Sequence, residues 1–87
     1  MAGDRLNVSI ISPERTVFEG EARMVVAPAW DGQLGVLPNH APMLVLLGEG
    51  PLRVDAAGGT QQFTVAGGFM QVFENTVTIL SERASTR

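Results

Sequence analysis

Any general acid–base chemistry in this chain would begin with His40, the one imidazole among 87 residues. A general base needs a nucleophile or an orienting carboxylate beside it in space, and the spacing supplies neither. Between Asn39 and Ala41-Pro42, His40 reads as a loop-shaping or interface residue. Asp31, Glu49 and Glu74 offer carboxylates, but paired carboxylates must be held a few ångströms apart, and these read as solvated turn acids. With Cys at 0 there is no thiolate nucleophile, thiolate zinc site or disulfide, and a lone histidine leaves no His-rich metal site. All 6 basic side chains are arginines, so a P-loop and a Schiff-base lysine are excluded. Ala57-Gly58-Gly59 and Ala66-Gly67-Gly68 are glycine-rich, yet neither follows a strand and opens a helix, as a nucleotide cradle must. Asn7-Val8-Ser9 matches a glycosylation acceptor but lies inside a predicted strand with no secretion signal before it. A net charge of −3 without a basic cluster argues against nucleic acid. The expectation is therefore no catalytic residue, no cofactor and no metal. Trp30, beside Asp31-Gly32, is either a core plug or an exposed anchor for a partner.

The elements that position these residues follow a period of two. Leu6, Val8 and Ile10 alternate with Asn7 and Ser9, the pattern of a half-buried strand. Ser12-Pro13-Glu14-Arg15 is a turn. A short strand at 16–19 ends at Gly20, and another at 21–27 is closed by Pro28. The breaker-rich stretch 29–42 predicts a shaped loop with a short strand at 34–37. Met43 to Leu47 is an unbroken apolar run, read as a strand buried on both faces. Leu52/Val54, Phe63/Val65, Met70/Val72 and Val77/Ile79 mark four more alternating strands. They are separated by a tight turn at 57–59, a bulge or close backbone approach at Gly67-Gly68, and a turn at Glu74-Asn75. The tail 81–87 is polar and expected to fray. Such spacing without a helical stretch predicts one all-β domain over 1–87, an antiparallel β-sandwich or flattened barrel. The opening Met1-Ala2-Gly3-Asp4-Arg5 lacks a signal's apolar core, and the longest apolar run is far short of the ~20 residues that span a bilayer. The expected protein is soluble and monomeric by itself, with any membrane association supplied by a partner.

The loop carries a more specific pattern. Gly32-Gln33-Leu34-Gly35-Val36-Leu37-Pro38-Asn39-His40-Ala41-Pro42-Met43 resembles the G-x-L-G-x-x-P-x-H-A-P-L signature of the epsilon subunit of F-type ATP synthases. Val8 to Glu14 and Val17-Phe18-Glu19-Gly20 are similar to that family's opening strand and F-x-G turn. Gly50-Pro51-Leu52-Arg53-Val54, Val65 to Val72 and Asn75 to Leu80 match its later strands in order, so the likeness covers about residues 5 to 82.

The resemblance implies a ten-stranded β-sandwich without an active site. It implies a rotor part of the central stalk that binds the gamma subunit and touches the polar loops of the c-ring, coupling proton flow to ATP synthesis. Such a subunit is peripheral, on the cytoplasmic side of the bacterial inner membrane. Carried over by position, Gln33, Leu34 and Gly35 fall where the family approaches the c-ring. Ser12, His40, Met43 and Val45 fall where it faces gamma. The Gln33 position is often acidic in the family, and an amide here removes the charge that a salt bridge to the ring would use. The chain stops where the family usually continues into two helices that inhibit ATP hydrolysis and, in some members, bind ATP; neither role is expected of these residues. Two other readings fit the composition: a free-standing β-sandwich adaptor for another soluble partner, and a small β-fold hydrolase using His40.

Overall fold

Apolar residues at every second position form strands only if another layer covers their inner face, and the computed structural model shows that cover. It describes residues 4–86. Nine strands follow in order: β1 (Leu6–Ile11), β2 (Thr16–Ala29), β3 (Gly32–Val36), β4 (Met43–Leu46), β5 (Glu49–Ala56), β6 (Gly59–Ala66), β7 (Phe69–Phe73), β8 (Thr76–Leu80) and β9 (Arg83–Thr86). They form one sheet in the order β4-β7-β8-β1-β2-β5-β6-β9, with β3 also paired to β2. Folded over as a β-sandwich, the sheet buries a single cluster. Leu6, Val8 and Ile10 of β1 meet Leu52, Val54, Phe63, Val65, Met70, Val72, Val77 and Ile79 there. Phe18 tilts against Phe63 with ring centroids 5.5 Å apart, an arrangement aromatic pairs favour.

The all-β class and the alternation agree with the expectation, but several details differ. The sheet is mixed, not antiparallel, because β1 pairs β8 in parallel, Val8 opposite Val77 and Ile10 opposite Ile79. The two strands expected at 16–19 and 21–27 are one, which pairs β1 through Ala22 and then β5 from Ala22 to Val26, with a register shift between Ala22 and Met24. Pro28 does not end β2. Its missing N–H is tolerated because β5 leaves β2 after Val26, and its carbonyl accepts from Gly48 N–H at 2.7 Å. The short strand placed at 34–37 runs from Gly32 to Val36. Where the resemblance implies ten strands, the described residues form nine, Leu47 contributing only an isolated bridge to Ala29. The tail expected to fray instead forms β9, its Ala84 opposite Val65 and its Ser85 opposite Thr64. Met1 to Gly3 and Arg87, which belong to the opening and the tail read from the sequence, lie outside the described residues.

One corner gathers several chain segments. Leu47 N–H donates to Gly68 O at 2.9 Å, Gly67 N–H to Gly48 O at 3.3 Å, and Trp30 N–H to Leu46 O at 3.0 Å. Gly68, with φ +97°, lies against β8: a Cβ there would stand 1.9 Å from Leu80 O and 2.8 Å from Ser81 Cα. This is the close approach the Gly67-Gly68 pair predicts. Beside it, Ser81 is the one buried polar side chain among the described residues. Its hydroxyl accepts from Ala66 N–H at 3.3 Å and faces the carbonyls of Arg83 at 2.6 Å and Ala66 at 3.2 Å, joining β6 to the start of β9. Ser81→Ala leaves these groups unsatisfied and is expected to cost about 1.5 kcal/mol, roughly 6–12 °C in thermal midpoint by circular dichroism. An unchanged midpoint would show that the hydroxyl contributes nothing to that junction.

Candidate functional site

The outer face of three neighbouring strands carries the least expected chemistry. β4 is an edge strand: Met43 pairs Val72 and Val45 pairs Met70, so Met43 and Val45 turn inward and pack on the core. Leu44 and Leu46 therefore point outward, 69% and 63% exposed. The expectation that the run from Met43 to Leu47 is buried on both faces is corrected here: nothing among the described residues covers the outer side of β4.

Directly paired residues of adjacent strands share a face, so the register extends this surface. Leu46 stands opposite Phe69, and Phe69 opposite Leu80; Leu80 pairs Ile11 on β1. Leu46, Phe69, Leu80 and Ile11 make an apolar row across four strands. The next row is Leu44, Gln71, Thr78 and Ser9, and Phe73 faces Thr76 at the far end. Leu44, Leu46, Phe69, Phe73 and Leu80 are all exposed. Beyond β1 the surface turns acidic, with Glu19 opposite Ser9 and Glu21 opposite Asn7.

Ser12 and His40 bracket this face at opposite ends. Ser12 follows Ile11 and is half-buried in its turn, where its N–H donates to Arg15 O at 2.9 Å and its hydroxyl to the same oxygen at 3.2 Å. His40 precedes β4. Its N–H closes a turn to Leu37 O at 3.2 Å, with Pro38 followed by Asn39 at φ 69°, the residue types a type II turn selects. The imidazole Nδ1 lies 2.8 Å from Ala41 O, a local contact that shapes the loop and brings no nucleophile or carboxylate to the ring.

Gln33, Leu34 and Gly35 lie on β3, which pairs β2 along the same edge as β1 but at its far end, from Val25 to Ala29. Gln33 opposite Pro28 and Gly35 opposite Val26 are exposed, while Leu34 packs on the core. Gln33 lines a shallow groove with Val26, Pro51, Arg53 and Gln62. Trp30 and Asp31 form the two-residue tip between Ala29 and Gly32, and Trp30 is 70% exposed, so it is not a core plug. Of the four residues the resemblance marks as facing gamma, Ser12 and His40 stand at the ends of the apolar face. Met43 and Val45 are half-buried and turned to the core, so none of the four lies at the centre of that face. Leu44, Leu46, Phe69 and Leu80 carry no motif, and only the pairing register reveals them as one surface. Among the described residues no group of His, Cys, Asp or Glu side chains could hold a metal ion, and no helix is long and apolar enough to cross a membrane.

Residues 5–87 match the β-sandwich domain of the ATP synthase delta/epsilon chain. The chain is 40% identical over 87 residues to the ATP synthase epsilon chain of Leptospira borgpetersenii, covering all of this chain and 68% of that one. It is 42% identical to that of Pelotomaculum thermopropionicum, covering 97% and 63%, and 46% identical to that of a Synechococcus strain, covering 91% and 58%. The chain thus spans about three fifths to two thirds of these relatives' own length. In solved structures, the fold is shared with a chain of the Euglena gracilis mitochondrial ATP synthase (OSCP/F1/c-ring) at a TM-score of 0.90 and 21% identity, over 99% of this chain and 56% of that one. A chain of the Tetrahymena thermophila mitochondrial ATP synthase central stalk and c-ring matches at 0.77 and 19%, over 99% and 69%.

Proposed function

Because the chain belongs to the ATP synthase delta/epsilon chain family, through its β-sandwich domain, we propose that it is a non-catalytic rotor part of the central stalk, binding gamma and touching the c-ring to couple proton flow to ATP synthesis. The observation that supports the gamma contact is the outer apolar face, five large exposed side chains on three adjacent strands between Ser12 and His40. Exposed apolar patches of this kind mark partner surfaces. A specific interface covers ~800 Å² on each partner, enough to take in the face and both flanking turns. The ring contact falls to the β2–β3 hairpin, with Gln33 and Gly35 exposed on β3 and Trp30 at its tip. An amide at Gln33 makes that contact uncharged at this position, so it is less sensitive to salt than an ion pair. The chain sits on the cytoplasmic side of the bacterial inner membrane, held there by the complex. As in the sequence reading, it is one β-sandwich domain and a monomer when alone.

The test is titration of the purified chain against its cognate gamma subunit by calorimetry. A 1:1 complex with a Kd of about 1 μM or tighter and a negative heat-capacity change is expected, the mark of apolar burial. No complex at that concentration would overturn the reading.

A further inference from the structure

Resting on the gamma-binding reading, we propose that Asn75 is a positioning residue: from the β7–β8 turn it holds the His40 loop in place at one end of the apolar face. Glu74 and Asn75 both have positive φ, 49° and 61°, the backbone of a two-residue type I′ hairpin turn. Glycine suits the second position of such a turn without any cost, so a side chain there is not needed for the turn itself. In this chain the side chain reaches another segment. Asn75 Oδ1 accepts from the backbone N–H of Asn39 at 2.6 Å, and Asn75 Nδ2 donates to Asn39 Oδ1 at 3.4 Å. The acceptor facing a backbone donor fixes which way the amide points. Asn75 is itself anchored, since its carbonyl accepts from Asn7 N–H of β1 at 2.8 Å.

The segment so held is short and carries turn contacts of its own. Asn39 is in the left-handed region, His40 N–H returns to Leu37 O, and the His40 ring contacts the adjacent Ala41 carbonyl. Those contacts are local to the turn. The Asn75 bonds join it across 36 residues of chain to the hairpin that ends in Phe73 and Thr76. Leu37 and His40 are thereby held beside the Phe73 end of the face before any partner arrives. A loop ordered in advance does not lose that conformational entropy on binding.

The test compares Asn75→Gly and Asn75→Asp with the unaltered chain. Glycine keeps the positive φ and deletes the tether; aspartate keeps an oxygen for Asn39 N–H and tolerates the same backbone. In Asn75→Gly, amide hydrogen exchange at Asn39 and His40 should quicken at least about five-fold, and affinity for gamma should fall about five-fold, while the thermal midpoint stays unchanged. Asn75→Asp should restore most of both. Unchanged exchange at Asn39 and His40 overturns the proposal, as does unchanged affinity when the unaltered chain binds. If the unaltered chain does not bind gamma, the binding reading fails, and the exchange measurement still decides the role of Asn75.

Discussion

Leu46→Asp is expected to weaken the complex with gamma about 100-fold, equivalent to about 2.7 kcal/mol, without lowering the thermal midpoint of the isolated chain. The side chain is 63% exposed and belongs to the outer row with Phe69 and Leu80, so replacing it removes nothing from the core. Its backbone bond to Trp30 N–H is kept. In the complex the new carboxylate would lie between apolar neighbours and lose its water with no cation beside it, a cost of several kcal/mol that a rim position would avoid. Gln62→Asp on β6 is the control, since Gln62 is exposed outside the three-strand face. Equal affinities for the two variants would place the gamma contact elsewhere. A lowered midpoint for Leu46→Asp would show that the residue supports the fold.

Gly68→Ala acts on the fold instead. Its methyl group would stand 1.9 Å from the Leu80 carbonyl oxygen and 2.8 Å from Ser81 Cα, both backbone atoms that cannot rotate away. The φ of +97° adds strain for any residue with a Cβ. Strain and overpacking together are expected to cost about 4 kcal/mol, lowering the midpoint by roughly 15–30 °C. Gly58→Ala, with open space around it and no positive φ, should move it little. A midpoint for Gly68→Ala equal to that of Gly58→Ala would mean that the corner relaxes freely.

Those two positions differ in how openly they are written in the sequence. Gly67-Gly68 interrupts two alternating stretches, so a close approach is legible there without knowing what it approaches. The outward turn of Leu44 and Leu46 is not legible. In an unbroken run such as Met43 to Leu47 either parity fits, and only the opposition of Met43 to Val72 and Val45 to Met70 decides it. β9 was hidden for a related reason: an edge strand needs a backbone partner more than apolar residues, and Ala84 alone leans on the core. The parallel pairing of β1 with β8 was hidden by distance along the chain. Of the residues the resemblance marks, those in the turns beside the candidate face are legible, because turns are built from residue types such as Pro38 and Asn39 that leave a signature. The inward direction of Met43 and Val45 is not. The apolar face between the turns is built from register, which leaves no signature.

That β1–β8 ladder also governs when the protein can exist. Asn7 pairs Thr76 and Ile11 pairs Leu80, partners separated by 69 residues of chain. At ribosomal rates of about 5–20 residues per second, β1 waits roughly 3–14 s for its second neighbour to be made. Over the same interval β4 has no β7, leaving the edge with Leu44 and Leu46 open to any other strand. With so many contacts between distant segments, the nucleus forms slowly by the standards of a chain this short. The newborn polypeptide thus passes through a period of greatest aggregation risk that ends only when β7 and β8 emerge. A chaperone that covers β4 during this interval would lower that risk.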